Sequence, residues 1–380
     1  MKSILQKDLW SITSFLENKN YKFNKENILT QLPEKFIDEA IEAISSWDNY
    51  APTPLIKLNK LNDELKLKNI YYKDEDKRFD LKSFKALGGA FAVYKIASEK
   101  KNITVSTATA GNHGRSVAWG AQRLGLKCKI FISEFVSESR AEAMRNLDAE
   151  VIRVKGNYDN SLKECIEQSN KNNWEIVQDV SWEGYKEVPK LIMAGYTIMV
   201  KEIIDEINKN SITHVFLQAG VGGMAAAMIA GFAKLSENIP QFIIIEPENA
   251  DCVFQSIKNN KPTTVDIKKE TVMGGMSCGD VSSIAWEILK NSAHYCLTIP
   301  DEAISTAVAL LAEKRLSNEK IIGGECAVPG VIALIGSFNN KEYLDKLKLN
   351  SESNVLLFGC EGLTDDAMYQ KLLNDGLQKI

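Results

Sequence analysis

Lys85 stands in the stretch DLKSFKALGGAFAVYK, at the start of an amphipathic helical pattern, with Phe84 before it and Ala86, Leu87, Gly88 and Gly89 after it. An ammonium beside so much small and apolar surface is partly desolvated, which favours the free amine and makes it a nucleophile. The alternative is a lysine that snorkels its head to water, a description that suits Lys82 and Lys95. A second stretch, GVGGMA, comes after the apolar run THVFLQ and opens an alanine-rich helical pattern. Glycines let backbone N–H groups crowd one point, and a helix N-terminus adds its positive dipole end, so a phosphate is the natural guest of Gly220, Val221, Gly222 and Gly223. The spacing Gly220-x-Gly222-x-x-Ala225 also fits a dinucleotide loop, with Glu246 ending a later strand where a ribose partner would sit. A tight strand-to-helix turn without a ligand is the plainest alternative. A third stretch, TATAGNHGRSVAWGAQRLG at 107–125, sets Asn112 before a helical pattern. There it is either a plain N-cap or an amide presented, with free backbone N–H groups, to a phenolate oxygen or a carboxylate.

The elements that must position these residues alternate with the rhythm of βαβ units. Short β-rich runs (NIYYKDE, NITVSTAT, CKIFIS, EVIRVKG, WEIVQDV) are separated by helical patterns at 84–99, 112–124, 137–147 and 158–172. Strand, helix, strand at this spacing predicts an α/β fold with a parallel sheet. A helix at 188–208 leads to three further runs, THVFLQ, QFIIIEPE and SNVLLFGCEG, whose continuous apolarity reads as strands buried on both faces. A four-strand unit at about 103–180 is thus bracketed by a larger unit built from both chain ends. The first fifty residues, rich in Lys, Asn and Glu, read as short helices packed outside, and 258–271 reads as a surface excursion.

Composition narrows the function classes. With 380 residues, 44% of them hydrophobic, the chain can fill two domain cores. A net charge of -4 gives no electrostatic reason to expect nucleic acid or an anionic membrane. The seven cysteines (Cys128, Cys165, Cys252, Cys278, Cys296, Cys326, Cys360) show no CxxC spacing and no disulfide framework, which points to the reducing cytoplasm. The start lacks an uninterrupted apolar core, and GGMAAAMIAGFA falls short of the roughly 20 residues that cross a bilayer, so neither export nor a membrane anchor is expected. The three histidines, His113, His214 and His294, are too far apart for a His-rich metal site, and no metal is expected.

A reactive lysine, an asparagine at a helix start and a separate phosphate loop together meet the needs of pyridoxal 5'-phosphate: an amine for its aldehyde, a donor for its 3'-oxygen, a cradle for its phosphate. From here the chain resembles the fold-type II, tryptophan-synthase β-like family of pyridoxal-phosphate enzymes. The resemblance spans about residues 45–366, with TPL (53–55), SFKALGG, AGNHG and GVGG in the family's order. Within that family the stretches QDVSWEGYKEVPKLIMAGY (178–196), GGMSCGD (274–280), SIAWEILKNSA (283–293) and CEGLTD (360–365) look most like the diaminopropionate ammonia-lyases.

The resemblance implies two parallel-sheet domains with the cofactor in the cleft between them. Residues 1–90 and 190–380 would form the large cofactor-binding domain, and 91–189 a small domain inserted in it. It implies that Lys85 carries the cofactor, that Asn112 contacts the 3'-oxygen, and that Gly220, Val221, Gly222 and Gly223 hold the phosphate. Cys360 would face the pyridine nitrogen, where many relatives carry Ser or Thr; a thiol is a weak partner, and the ring then favours loss of a β-leaving group over a long-lived carbanion. Asp179 matches the aspartate that takes the α-proton of the L-substrate in the lyases; otherwise it is a carboxylate that ends a strand and caps the next turn of the chain. Ala110, Gly111 and His113 would line a small amino-acid substrate, and the family implies a homodimer.

Ala110 is the departure. The lyases typically carry an aspartate there, tied to α-proton removal from the D-isomer, and a methyl group can neither act as a base nor hold a β-ammonium. The implied reaction is therefore elimination of ammonia from the L-isomer of 2,3-diaminopropionate, or deamination of a β-hydroxy amino acid such as serine, threonine or 3-hydroxyaspartate. A third reading, resting on the GxGxxA match, is a protein that binds pyridoxal phosphate or a dinucleotide without catalysis.

Overall fold

The structure, a computed structural model, describes Leu5 and residues 9–109, 111–207 and 211–380. Ala110 lies outside the described residues, as does residue 208, the expected end of the helix at 188–208. The chain divides into two compact units, one made of Met1–Gln31, Pro52–Lys77 and Met199–Ile380, the other of Leu32–Ala51 and Arg78–Ile198. The second unit thus begins before the lysine stretch rather than at 91. The cause is packing: helix Lys85–Glu99 is pressed against helices Asn112–Arg123 and Glu187–Tyr196.

Among the described residues of the second unit, four strands pair: β4 (Thr104–Ala108), β5 (Lys127–Ser133), β6 (Glu150–Val154) and β7 (Glu175–Ile176). Their order is β6-β5-β4-β7, all parallel. The expected strand over WEIVQDV shrinks to two residues because the Gln178 side chain takes over from the backbone. Gln178 Oε1 accepts from Ala108 N–H at 3.1 Å, and its Nε2 donates to the Ala108 carbonyl at 3.0 Å, where a ladder would otherwise continue.

The other unit holds a seven-stranded sheet among its described residues, built from β1 (Ser14–Glu17), β2 (Leu55–Lys57), β3 (Asn69–Asp74), β8 (His214–Gln218), β9 (Gln241–Pro247), β10 (Tyr295–Ile299) and β11 (Asn354–Gly359). The order is β1-β10-β9-β8-β11-β3-β2; the interior pairs are parallel, and the two edge strands run antiparallel. β8 and β11 are buried along their whole length, as continuous apolar runs require. β1 corrects the expectation of helices alone before residue 50: Phe15 stacks on Tyr343 at 4.5 Å and lies 5.5 Å from Tyr295, so an aromatic cluster pins this short segment as an edge strand. The helical span expected over 188–208 is two helices, Glu187–Tyr196 and Ile198–Glu206, and the Thr197 hydroxyl donates to the Ala194 carbonyl at 2.6 Å where the first one ends.

Gly88 and Gly89 owe their place to helix packing. A Cβ on Gly88 would lie 2.4 Å from Tyr196 Cε1 and 2.5 Å from the Ile192 carbonyl oxygen; one on Gly89 would lie 2.4 Å from Ser116 Oγ. The Gly88→Ala substitution is therefore expected to lower the unfolding free energy by about 2 kcal/mol or more, the scale of overpacking a core. Denaturant titration of the purified variant checks this, and an unchanged midpoint would refute the contact.

Candidate active site

Lys85 is the first residue of helix Lys85–Glu99, and its backbone N–H donates to Ser83 Oγ at 3.3 Å. Its side chain is 25% exposed, and the ammonium is ion-paired with the Asp179 carboxylate. It also sits 5.6 Å from the centre of the Phe84 ring, and that ring meets Tyr196 edge-on at 4.7 Å. Lys95, by contrast, turns outward to Glu39 at 2.9 Å. Lys85 is thus largely shielded from water beside an aromatic ring, with its charge paired.

Asp179 is held from both sides. The Tyr185 hydroxyl accepts from Gln178 N–H at 2.9 Å and donates to the Ile176 carbonyl at 2.8 Å. Trp182 and Tyr185 stack at 4.2 Å across a tight turn in which Gly184 takes φ +82, a left-handed conformation that favours glycine. Val177 N–H donates to the Ser106 carbonyl at 2.8 Å, and His113 Nε2 lies 2.8 Å from the Val177 carbonyl. The Asp179 carboxylate lies past the carboxyl end of β7 and the His113 helix past that of β4, neighbouring parallel strands; this brings together two groups far apart in sequence. His113 Nδ1 is 3.7 Å from Asp179 Oδ2.

The electrostatics are set by burial and pairing. Burial alone would raise the Asp179 carboxyl, but His113, charged in the acid range where a carboxylate titrates, and Lys85 outweigh it and hold the group well below the usual carboxylate range. Burial lowers His113, so at neutral pH the imidazole is uncharged and the ion pairing of Asp179 falls to Lys85. Tyr196, which sequence reasoning passed over as one more residue of an apolar helix, is 2% exposed. Burial raises its phenol, so it stays neutral, with its hydroxyl facing Lys85 and Asp179 and making no well-formed hydrogen bond. The only signal in the sequence was a polar atom closing an otherwise apolar run.

Asn112 is the first residue of helix Asn112–Arg123, not its cap. Thr109 does the capping: its hydroxyl oxygen accepts from Gly111 N–H at 3.0 Å and from Gly114 N–H at 3.2 Å.

In the other unit, Gly220, Val221 and Gly222 follow β8 after Ala219, and Gly223 opens the 13-residue helix Gly223–Leu235. Gly222 has φ +87, and a Cβ on Gly223 would meet open space, so room remains beside a helix N-terminus. A Cβ on Gly220 would approach Cys278 Sγ at 3.0 Å and the Gly275 carbonyl at 3.1 Å, which places GGMSCGD directly beside the glycine loop. Cys360 comes directly after β11, the neighbour of β8. Its thiol donates to the Cys326 carbonyl at 3.1 Å, and Gln218 Nε2 donates to the same oxygen at 3.0 Å. Glu246 settles the dinucleotide reading. It is fully buried and accepts from Val253 N–H at 2.8 Å and Phe254 N–H at 2.7 Å, capping helix Cys252–Asn259, while burial pushes its carboxyl up to about 8. It is not available to a ribose.

A desolvated lysine facing a carboxylate, and a glycine loop with room for an anion at a helix N-terminus, suit an enzyme that carries an aldehyde cofactor with a phosphate tail. The chain belongs to the pyridoxal-phosphate dependent enzymes, whose family profile matches residues 47–360. It is 34% identical over 351 residues to diaminopropionate ammonia-lyase of Escherichia coli, covering 86% of this chain and 88% of that one. The enzyme of the same name from Salmonella typhimurium is 34% identical over 360 residues, covering 86% and 89%. The fold is similar to the crystal structure of the Escherichia coli enzyme in complex with an aminoacrylate-PLP azomethine reaction intermediate, with a TM-score of 0.89, 32% identity, and 96% and 98% of the two chains covered. Among the described residues no helix is long and apolar enough to cross a membrane.

Proposed function

We propose that this chain eliminates ammonia from L-2,3-diaminopropionate, giving pyruvate and a second ammonia after hydrolysis of the released enamine. The observation that carries the reading is the Asp179 carboxylate facing the Lys85 amine, both largely shielded from water within one unit. The similarity to diaminopropionate ammonia-lyases over most of the chain supports the choice of substrate.

Bound pyridoxal phosphate supplies the electron sink for the pair left behind when the α-proton departs. Lys85 would hold the cofactor by its aldehyde, its amine being the nucleophile of the site. Asp179, kept ionised by its surroundings, takes the α-proton. Asn112 donates to the 3'-oxygen, and the N–H groups of Gly220, Val221, Gly222 and Gly223 hold the phosphate. Cys360 would face the ring nitrogen without a carboxylate's charge, its thiol donating a hydrogen bond to the Cys326 carbonyl, and this fits elimination over a persistent carbanion. Gly111 and His113 would border the substrate, and an alanine at position 110 offers no side-chain base. The protein works in the cytoplasm as a homodimer.

Pyruvate release from the two enantiomers, and from serine, threonine and 3-hydroxyaspartate, tests this. The L-isomer is expected to turn over at least about 100-fold faster than the D-isomer, the scale of one missing general base. Equal rates on the D-isomer would remove the role given to Ala110, and a faster reaction on any hydroxy amino acid would replace the substrate.

A further inference from the structure

The Val177 carbonyl can only accept a hydrogen bond, so at 2.8 Å it requires a proton on His113 Nε2. A neutral imidazole has one N–H, which leaves Nδ1 with a bare lone pair. That atom is buried, has no hydrogen-bond partner among the described residues, and looks at Asp179 Oδ2 across 3.7 Å. A neutral acceptor and a carboxylate thus face each other with no proton between them. Buried acceptors without a donor cost free energy and are rare, so such a gap calls for a proton that arrives at some stage.

We propose that His113 Nδ1 takes over the proton that Asp179 removes from the substrate. The inference rests on Asp179 as the base. The α C–H bond breaks and its proton joins the Asp179 carboxylate; the Asp179 O–H bond then breaks as an Nδ1–H bond forms, leaving an imidazolium beside a carboxylate. The electron pair of the C–H bond becomes the Cα–Cβ double bond as the β C–N bond breaks. The departing ammonia takes the proton from Nδ1 and leaves as ammonium, which restores the pair.

The charged groups facing the imidazole are Asp179, which favours its protonated form, and Lys85, which opposes it. Tyr196 stands beyond them, facing both. Whenever the Lys85 amine is uncharged its opposition falls while the favourable Asp179 carboxylate remains, so the imidazole gains basicity. The transfer also explains how a strongly stabilised carboxylate, a weak base by itself, serves as the proton acceptor: the proton does not have to stay on it.

Nitrogen NMR of the holoenzyme labelled with 15N-histidine reads the tautomer directly. There are three histidines in the chain, and His214→Gln and His294→Gln assign the remaining signal even if no His113 variant folds. A neutral ring protonated on Nε2 at pH 7 is expected; a ring protonated on Nδ1 at rest would overturn the proposal. In His113→Gln, whose amide can still donate toward Val177, kcat is expected to fall about 100-fold with KM nearly unchanged. The acidic limb of the kcat/KM profile should move to lower pH, because Asp179 alone then sets it. A wild-type profile in that variant would overturn the transfer. Full activity in Asp179→Asn would instead overturn the choice of base, and the NMR result would still stand by itself.

Discussion

Lys85→Ala is expected to yield a folded, colourless protein whose pyruvate formation falls on the order of 10⁴-fold or more, the scale of losing a covalent catalyst. The helix should survive, because alanine is the better helix former and Lys85 sits at its first residue with only its side-chain head engaged. A second consequence concerns Asp179. In the wild type its carboxyl is depressed on folding, so it contributes stability that is present above pH 3.8, its ordinary value, and is lost as the pH falls below that. With Lys85 gone, Asp179 loses one of the two groups that hold its carboxyl down, and burial pushes it part of the way back up. The variant should therefore lose stability near neutral pH and show a weaker acid dependence of its unfolding midpoint than the wild type. Absorbance of the bound cofactor, pyruvate assay and denaturation at pH 3 to 7 measure the three effects; retained colour would show that another amine holds the cofactor.

Asp179→Asn is expected to keep the colour and lose about 10²- to 10⁴-fold in kcat, the usual worth of a general base. The side chain keeps its shape and its place between Tyr185, Gln178 and His113, since those bonds are made by neighbouring backbone and not by the carboxylate. Binding of the cofactor and of the L-substrate should thus persist, and a spectral change on adding substrate to the inactive variant would show it. Loss of the α-proton, monitored as exchange of that proton for deuterium from the solvent, should cease. Continued exchange would assign the proton to another group.

Local interactions could be read along the chain, and distant ones could not. The central strands declared themselves because burial on both faces leaves an uninterrupted apolar run, as in THVFLQ and NVLLFG. The start of the Lys85 helix and the turn of the glycine loop into its helix could be read because both follow from adjacent residues. β1 was not, since its identity comes from aromatic partners some 280 residues away at Tyr295 and more than 320 away at Tyr343. The capping of the Asn112 helix was misread for a subtler reason. Thr109 and Asn112 are both good caps, and only the fold reveals which hydroxyl or amide reaches the free N–H groups. The glycines after Lys85 were read as surroundings of the amine, although their strict requirement is the approach of Tyr196 and Ser116. Tyr196 closes the stretch 178–196 with nothing local to mark its place beside Lys85, and the meeting of His113 with Asp179 depends on β7 pairing with β4.

That pairing has a consequence for how the enzyme fails. β7 is two residues long and lies at the edge of its sheet, and segments of this kind open locally at a fraction of the free energy that unfolds the whole unit. Opening there would withdraw Asp179 while the lysine helix, wedged between two others, stays where it is. Loss of activity on warming is then a fraying event that cooling reverses, ahead of the cooperative melt. The clamp made by Gln178 and Tyr185 sets the temperature at which it begins.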